Sequence, residues 1–420
     1  MGRWLVGLAL VLGACGEDYS FDQGYSVCAL DDQDCVRVTA ATLARHRGVV
    51  NSEVPPVRFI TSTELFEQDQ ARDGELSEEQ RLGQQRVLDA LALLALLPED
   101  YTAEEATRDL YATIPAFYDS GEKAIYIVSD AFVGDETQAY ETLVHELVHA
   151  QQDQELDLRS YRRTHSRSTD RDLAVLAIVE GEARLYDTLA NIELRDLGPD
   201  QVDWVGFFDG WQRDRLDRAA ETDVPDLMIP RLFPYAWGTE LMYDAWRAGD
   251  RLSIDRVFAS PPESVRQVMM HPQQAPPVGS DWNEDGALAQ TLVPELPDFE
   301  LLGWSHDGVW SVQAMLARNS TRAVPVWSPL MSHVTADALS LHYNQDSDST
   351  AAVWRIRMDS IERAQELAAF LEGGDLAVIV LERDVIVSAN VEITANTGWQ
   401  SRDALIAPTE MMAAPHHCLR

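Results

Sequence analysis

Two histidines, His145 and His149, stand four residues apart, with Glu146 directly after the first and Leu147 and Val148 between. Residues four apart on an α-helix project from one face, about one turn from each other. Neutral imidazoles at that spacing can share one zinc ion through their ring nitrogens. A glutamate beside the first can take a proton from a water that the metal activates. Leu143, Val144, Leu147, Val148 and Ala150 are uncharged, so three polar groups interrupt an apolar helix. Buried there without partners they would be costly. The competing reading is a pair of core histidines satisfied by ordinary hydrogen bonds.

A catalytic zinc site takes three protein ligands and keeps one position open. The best third ligand is Glu180, thirty-one residues after His149, at the end of the apolar run 173–179. Leu173, Leu176, Ala183 and Asp187 share its helical face, whereas Glu182 lies about 200° around the helix. Gly181 beside it would let two helices approach closely. Three alternatives stay open: Glu180 pairs with Arg184 instead, Glu182 is the ligand, or His165 is.

The elements that must position these groups follow from patterning. A strand is expected at 57–61 after Pro55-Pro56, a helix from the Ser77/Gln80 capping pair, and another helix over 101–111. Residues 123–129 have strand character. Helices are expected at 136–153, 173–192, 202–220 and 235–248, with the basic stretch 159–171 as a loop. Pro294 to Pro297 reads as a linker. Beyond it, a helix at 310–317, a strand at 351–358, a helix at 361–371 closed by Gly373-Gly374, and a hairpin of 376–381 with 385–391 suggest a small α+β domain. Trp304, Trp310, Trp354 and Trp399 read as core and surface aromatics rather than a carbohydrate platform.

The chain has 420 residues, 45% of them hydrophobic, enough for packed cores and two domains. With 70 acidic against 33 basic residues its formal charge is -37, which excludes nucleic acid as a partner. Such acidity serves solubility, in a salty medium for example, or attracts cationic substrates. Arg3, the apolar run 4–12 and Leu12-Gly13-Ala14-Cys15 read as a signal peptide, too short to span a bilayer. Its end resembles a bacterial lipobox, which makes Cys15 the acylated N-terminus after cleavage; a plain secretory signal is the alternative. Membrane contact would be through that lipid only, and the place the bacterial cell envelope, facing periplasm or exterior. In an oxidising compartment Cys28 and Cys35 could pair, leaving Cys418 odd.

The His145-Glu146-Leu147-Val148-His149 segment followed by Glu180 resembles the gluzincin class of zinc peptidases. More narrowly, Ala116-Phe117-Tyr118-Asp119, residues 142–152, Val179-Glu180-Gly181-Glu182-Ala183, Pro234-Tyr235-Ala236-Trp237-Gly238, Pro261-Pro262-Glu263-Ser264 and His271-Pro272 are similar to blocks of a family of secreted bacterial metallopeptidase-like proteins. The resemblance covers about 57–272. It implies an α+β, mainly helical zincin-type domain with a small edge sheet, followed by a smaller α+β domain. The divisions are then a signal peptide at 1–14, a lipidated tether at 15–54, the metallopeptidase domain at 55–290 and the C-terminal domain at 298–420. It further implies that the 123–129 strand is the sheet edge on which an extended peptide docks, with the scissile carbonyl on zinc and Glu146 as general base. Tyr235 is the candidate oxyanion donor, against a plain packing role, and His271 a weaker one. Arg184 stands where a thermolysin-like pattern has Asp, so Asp153 or Asp187 would have to support His145. The reading is a lipid-anchored zinc peptidase acting on peptides or proteins outside the cytoplasm. A non-catalytic envelope-binding lipoprotein on the same scaffold, or a hydrolase of other amides such as cell-wall stems, are the alternatives.

Overall fold

The computed structural model describes residues 24–49, 53–72, 77–132, 134–166, 168–222, 232–270, 293–320, 328–372 and 376–400. The expected signal peptide, the lipidated Cys15, His271, the Gly373-Gly374 helix end and Cys418 lie outside them. The described chain is mixed α and β, predominantly helical, with three small sheets. None of its helices is long and apolar enough to cross a membrane.

The first helix corrects an expectation. Within the stretch 15–54 expected as a polar tether, α1 (Gln33–Arg47) is helical and buries Val36, Ala40, Leu43 and Ala44. Asp32 caps its start and Gly48, at φ 69°, ends it in the left-handed region that glycine tolerates. The Cys28–Cys35 disulfide forms at its entrance, as the spacing suggests. α1 packs on α5 (Glu136–Leu156), the helix carrying the histidines.

Strands β1 (Val57–Ile60), β2 (Ala116–Asp119) and β3 (Ala124–Val128) make the first sheet, in the order β1-β3-β2. β3 is therefore the central strand, parallel to β1 and antiparallel to β2, and not the expected edge. Its five residues are all buried, as a central strand's are. The edge beside α5 is β2. Pro115 O accepts from Val128 N–H, so by antiparallel alternation Phe117 bonds inward to β3 while Ala116 and Tyr118 turn their backbone groups to the other side. Helices α2 (Ser62–Arg72) and α4 (Ala103–Ala112) pack on this sheet through Leu65 and Tyr111, and between them in sequence comes α3 (Glu78–Ala92), opened by the Ser77/Gln80 capping box.

After α5, α6 (Leu158–His165) replaces the expected loop, because the Asp157 carboxylate caps it and Leu158 anchors it in the core. Then follow α7 (Thr169–Leu194), α8 (Trp204–Glu221), a π-helical turn (Pro234–Gly238) that runs into α9 (Thr239–Ala259), and α10 (Val265–Met270). The expected linker at Pro294 instead pairs as β4 (Val293–Pro294) with β10 (Trp399–Gln400). The last sheet is β5 (Glu300–Ser305), β6 (Val334–Asn344), β7 (Ser349–Met358), β9 (Asp384–Ala389) and β8 (Ala377–Leu381), antiparallel throughout in that order. α11 (Gly308–Asn319) and α12 (Ile361–Leu371) complete it. The β8–β9 hairpin is where the sequence places it; β5 and β6 are additions that its patterning does not announce. One continuous apolar core runs from Val36 to Ala389, with α3 packed on β6 and β7, and α11 between α7 and the sheet. Trp304, Trp310 and Trp354 are buried in the interior.

Where α7 begins, against α11 and β6, acids crowd together. Asp170 accepts from Val265 N–H at 2.8 Å, and Asp337 accepts from the N–H groups of Asp307 and Gly308 at 3.0 Å. Burial, then the charges of Asp337 and Asp307, push the Asp170 carboxyl up to about 8 from its ordinary 3.8. A carboxyl raised by folding binds more protons folded than unfolded, so its contribution to stability falls as pH rises from about 4 to about 8. Asp170→Asn, which keeps an acceptor for Val265, is expected to melt higher than the unsubstituted chain at pH 8 and to lose that advantage at pH 4. Urea denaturation midpoints of both chains across this range check it; an identical pH slope would contradict it.

Candidate metal centre

Two long helices bring the site together. α5 starts at a reciprocal cap: Asp135 accepts from Gln138 N–H at 3.0 Å, and Gln138 Oε1 accepts from Asp135 N–H at 2.9 Å. α7 starts at Ser168 and packs along α5. His145, Glu146, His149 and Glu180 are all buried at that contact, His149 and Glu180 to within 1%.

Three ligand atoms converge. His145 Nε2 lies 3.1 Å from His149 Nε2 and 3.2 Å from Glu180 Oε2, which is 3.4 Å from His149 Nε2. Tetrahedral zinc with bonds of about 2.0–2.1 Å holds its ligand atoms about 3.3–3.4 Å apart, so this triangle matches three corners of such a site. His145, His149 and Glu180 thus form a buried group able to hold a metal ion. Two further observations fit a cation. Among the described residues nothing donates to Glu180 Oε1 or to Glu146 Oε2, although both atoms are buried. Burial opposes charge on His145, yet its hydrogen bonds to Asp187 and Glu180 raise its pKa to about 10. Burial would lift Glu180, but the charge of His149 and the hydrogen bonds of both imidazoles hold it far below the usual carboxylate range. The geometry calls for positive charge, which a proton or a metal ion can provide.

The imidazoles are oriented from behind. Asp187 Oδ2 lies 3.0 Å from His145 Nδ1 and also takes Arg184 Nη1 at 3.0 Å. Asp187, one of the two residues considered for this role, therefore supports His145. Asp153, the other, accepts instead from Tyr118 OH at 3.0 Å and from Lys123. His149 Nδ1 meets Gln152 Oε1 at 2.9 Å, an interaction that the motif alone does not reveal. The i, i+3 spacing of His149 and Gln152 on one helix is its signal in the sequence. Gln152 Nε2 donates to Val179 O at 3.0 Å and to Glu182 Oε2 at 2.8 Å. Glu182 in turn receives Arg47 Nη2 at 2.7 Å and Arg251 Nη1 at 3.2 Å. These contacts remove the alternatives for the third ligand: Glu182 points into this arginine pair, Arg184 pairs with Asp187 rather than Glu180, and the ring of His165 packs 4.6 Å from that of Tyr161.

Glu146 stands beside the triangle and is not one of its corners. Burial pushes its carboxyl up, while the charges of His145 and His149 and the Tyr118 backbone N–H on the outer side of β2 hold it down. A cavity of about 310 Å³ opens over this face, lined by both imidazoles, Glu146, Tyr235, the 113–116 segment leading into β2, and Arg184, Arg215 and Arg218. The Tyr235 ring stacks at 6.0 Å on that of His145, in the π-helical turn.

That turn is set by two glycines. A Cβ on Gly181 would lie 2.3 Å from the Gly238 carbonyl group, and one on Gly238 would lie 1.9 Å from Ala177 O. The close approach foreseen at Gly181 is thus to the Tyr235 turn and not to α5. Gly181→Ala should cost about 1–3 kcal/mol, because backbone must move to admit the methyl. Urea unfolding checks it, and a change under about 0.5 kcal/mol would show the contact to be loose.

No family model, no curated protein and no solved structure matches this chain.

Proposed function

We propose that the chain is a zinc-dependent peptidase, exported and held to the cell envelope by a lipid on Cys15, in which His145, His149 and Glu180 hold the metal and Glu146 is the general base. The supporting observation is the triangle of ring nitrogens and carboxylate oxygen with sides of 3.1, 3.2 and 3.4 Å, next to a buried carboxylate that is not part of it. The succession of edge strand, histidine helix and glutamate helix is consistent with a zincin-type domain.

A zinc ion held there supplies Lewis acidity and brings the pKa of an adjoining water towards neutrality. Asp187 and Gln152 accept from the Nδ1–H groups of His145 and His149, which keeps both Nε2 lone pairs turned inward. Glu146 takes the proton of the attacking water and returns it to the departing amine. The outward backbone groups of Ala116, which lines the cavity on β2, can pair with an extended peptide, in place of the 123–129 strand. Tyr235, whose ring lies over His145, is the candidate donor to the developing oxyanion.

The purified chain is expected to bind about one zinc ion and to cut members of a random peptide library, with 1,10-phenanthroline stopping turnover and added zinc restoring it. Glu180→Ala is expected to lose the ion. A chain that binds no zinc, or cleavage that persists in Glu180→Ala, would overturn the proposal. Zinc binding without any turnover would favour the non-catalytic reading.

A further inference from the structure

The protein is strongly acidic, yet one wall of the metal cavity is cationic. Arg184 on α7 and Arg215 and Arg218 on α8 share this wall; two carboxylates, Asp187 and Asp214, pair with them directly, and Glu141 acts on Arg184 through its charge. Asp187 takes Arg184 and is already engaged with His145. Asp214 takes Arg218 at 2.9 Å, leaving Arg215 with a contact of 3.7 Å, longer than a hydrogen bond. Arg215 Nε is buried and has no hydrogen-bond partner among the described residues.

The side chain is also held in place. Trp211, one turn before Arg215 on α8, lies with its ring 5.5 Å from the Arg184 guanidinium and 5.7 Å from that of Arg215. An aromatic ring within reach of both guanidiniums limits their freedom, so less entropy is lost when an anion arrives. Burial first, then the neighbouring charges of Arg218 and Arg184, lower the pKa of Arg215 against the opposing charge of Asp214. A part-buried guanidinium with an unused donor, in the same cavity as the metal ligands, lacks an anionic partner of its own.

We propose that Arg215, flanked by Arg184 and Arg218, is an anion-binding subsite of the metal cavity, and that the preferred substrates are peptides carrying a carboxylate beside the bond to be cut. This rests on the peptidase reading above and names its substrate class. Guanidinium and carboxylate match as planar, two-pronged partners. The carboxylate can come from a Glu or Asp side chain or from a free C-terminus, and both chemistries suit the same wall. A preference for cationic substrates, one reading of the overall acidity, is the opposite expectation at this cavity.

The test uses matched quenched peptides with Glu, Gln or Lys scanned through each position, each made with a free and an amidated C-terminus. The zinc-loaded chain is expected to favour Glu over Gln, or free over amidated ends, by at least about tenfold in kcat/KM, chiefly through KM, as befits a charged hydrogen bond. The arm that shows the preference identifies the source of the carboxylate. Arg215→Gln should level it, and Arg215→Glu should turn it towards Lys, with circular dichroism confirming that both variants fold. In parallel, glutarate is titrated calorimetrically into metal-free protein, where at least about tenfold weaker binding is expected in Arg215→Gln. Cleavage indifferent to all these charges overturns the subsite and leaves the peptidase reading standing. If no peptide is cut at all the peptidase reading fails instead, and the subsite then falls if Arg215→Gln binds glutarate as tightly as the unsubstituted chain.

Discussion

Glu146→Gln is expected to lower kcat by about 10²–10⁴ while one metal ion stays bound per chain. The two effects separate because Glu146 is next to the triangle without belonging to it: among the described residues the group able to hold an ion is His145, His149 and Glu180. Glutamine has the same shape and keeps an acceptor for the Tyr118 N–H, so packing against β2 need not change. It cannot accept the proton that an attacking water must give up. Steady-state kinetics on any cleaved peptide, with metal analysis of the same preparation, provides both readings. Loss of the ion in this variant would make Glu146 a ligand, and undiminished turnover would remove it as the base.

Arg47→Met should destabilise the fold by about 3–5 kcal/mol, since it strands a buried carboxylate. Arg47 and Glu182 are joined at 2.7 Å with neither side chain exposed to solvent. Arg251 also reaches Glu182, at 3.2 Å, which places the expected loss towards the lower end of that range. Replacing both partners, as Arg47→Met with Glu182→Leu, should recover most of the stability, because no charge is then left unpaired. Zinc affinity should not recover. Glu182 Oε2 accepts from the Gln152 amide whose other end meets His149, so without it that amide is steadied only by Val179 O. A loss of about 10–100-fold in metal affinity is expected for such a supporting contact. Urea unfolding and competitive zinc titration of the single and double variants separate the two roles. A double variant that binds zinc as tightly as the unsubstituted chain would show the Arg47–Glu182 pair to be structural only.

Residue type and spacing along a helix make the candidate metal centre legible in the sequence. His145 and His149 are on one face because four residues make roughly one turn, and Glu180 is marked by ending an apolar run where a lone carboxylate is costly. The hairpin of β8 and β9 and the cap of α3 are local in the same way. α1 escapes such a reading although its signals are also local: Asp32 and Gly48 bracket Val36, Ala40, Leu43 and Ala44 at helical spacing. The surrounding aspartates mask that period. The loop expected at 159–171 fails similarly, since the polarity of α6 hides its cap at Asp157.

What the chain alone determined is therefore the set of groups that share a helical face, because backbone geometry ties residues three and four apart to each other whatever else surrounds them. Only the tertiary structure decided which strand borders the site, which acid or amide steadies each imidazole, and that arginines from α7 and α8 meet in its wall. Strand order turns on pairings between segments far apart in sequence: β1 at Val57–Ile60 runs parallel to β3 at 125–128, with three helices folded between them. The Arg47–Glu182 pair spans 135 positions. No period or composition encodes such contacts, because they depend on how whole elements pack and on which buried charge finds an opposite one within reach.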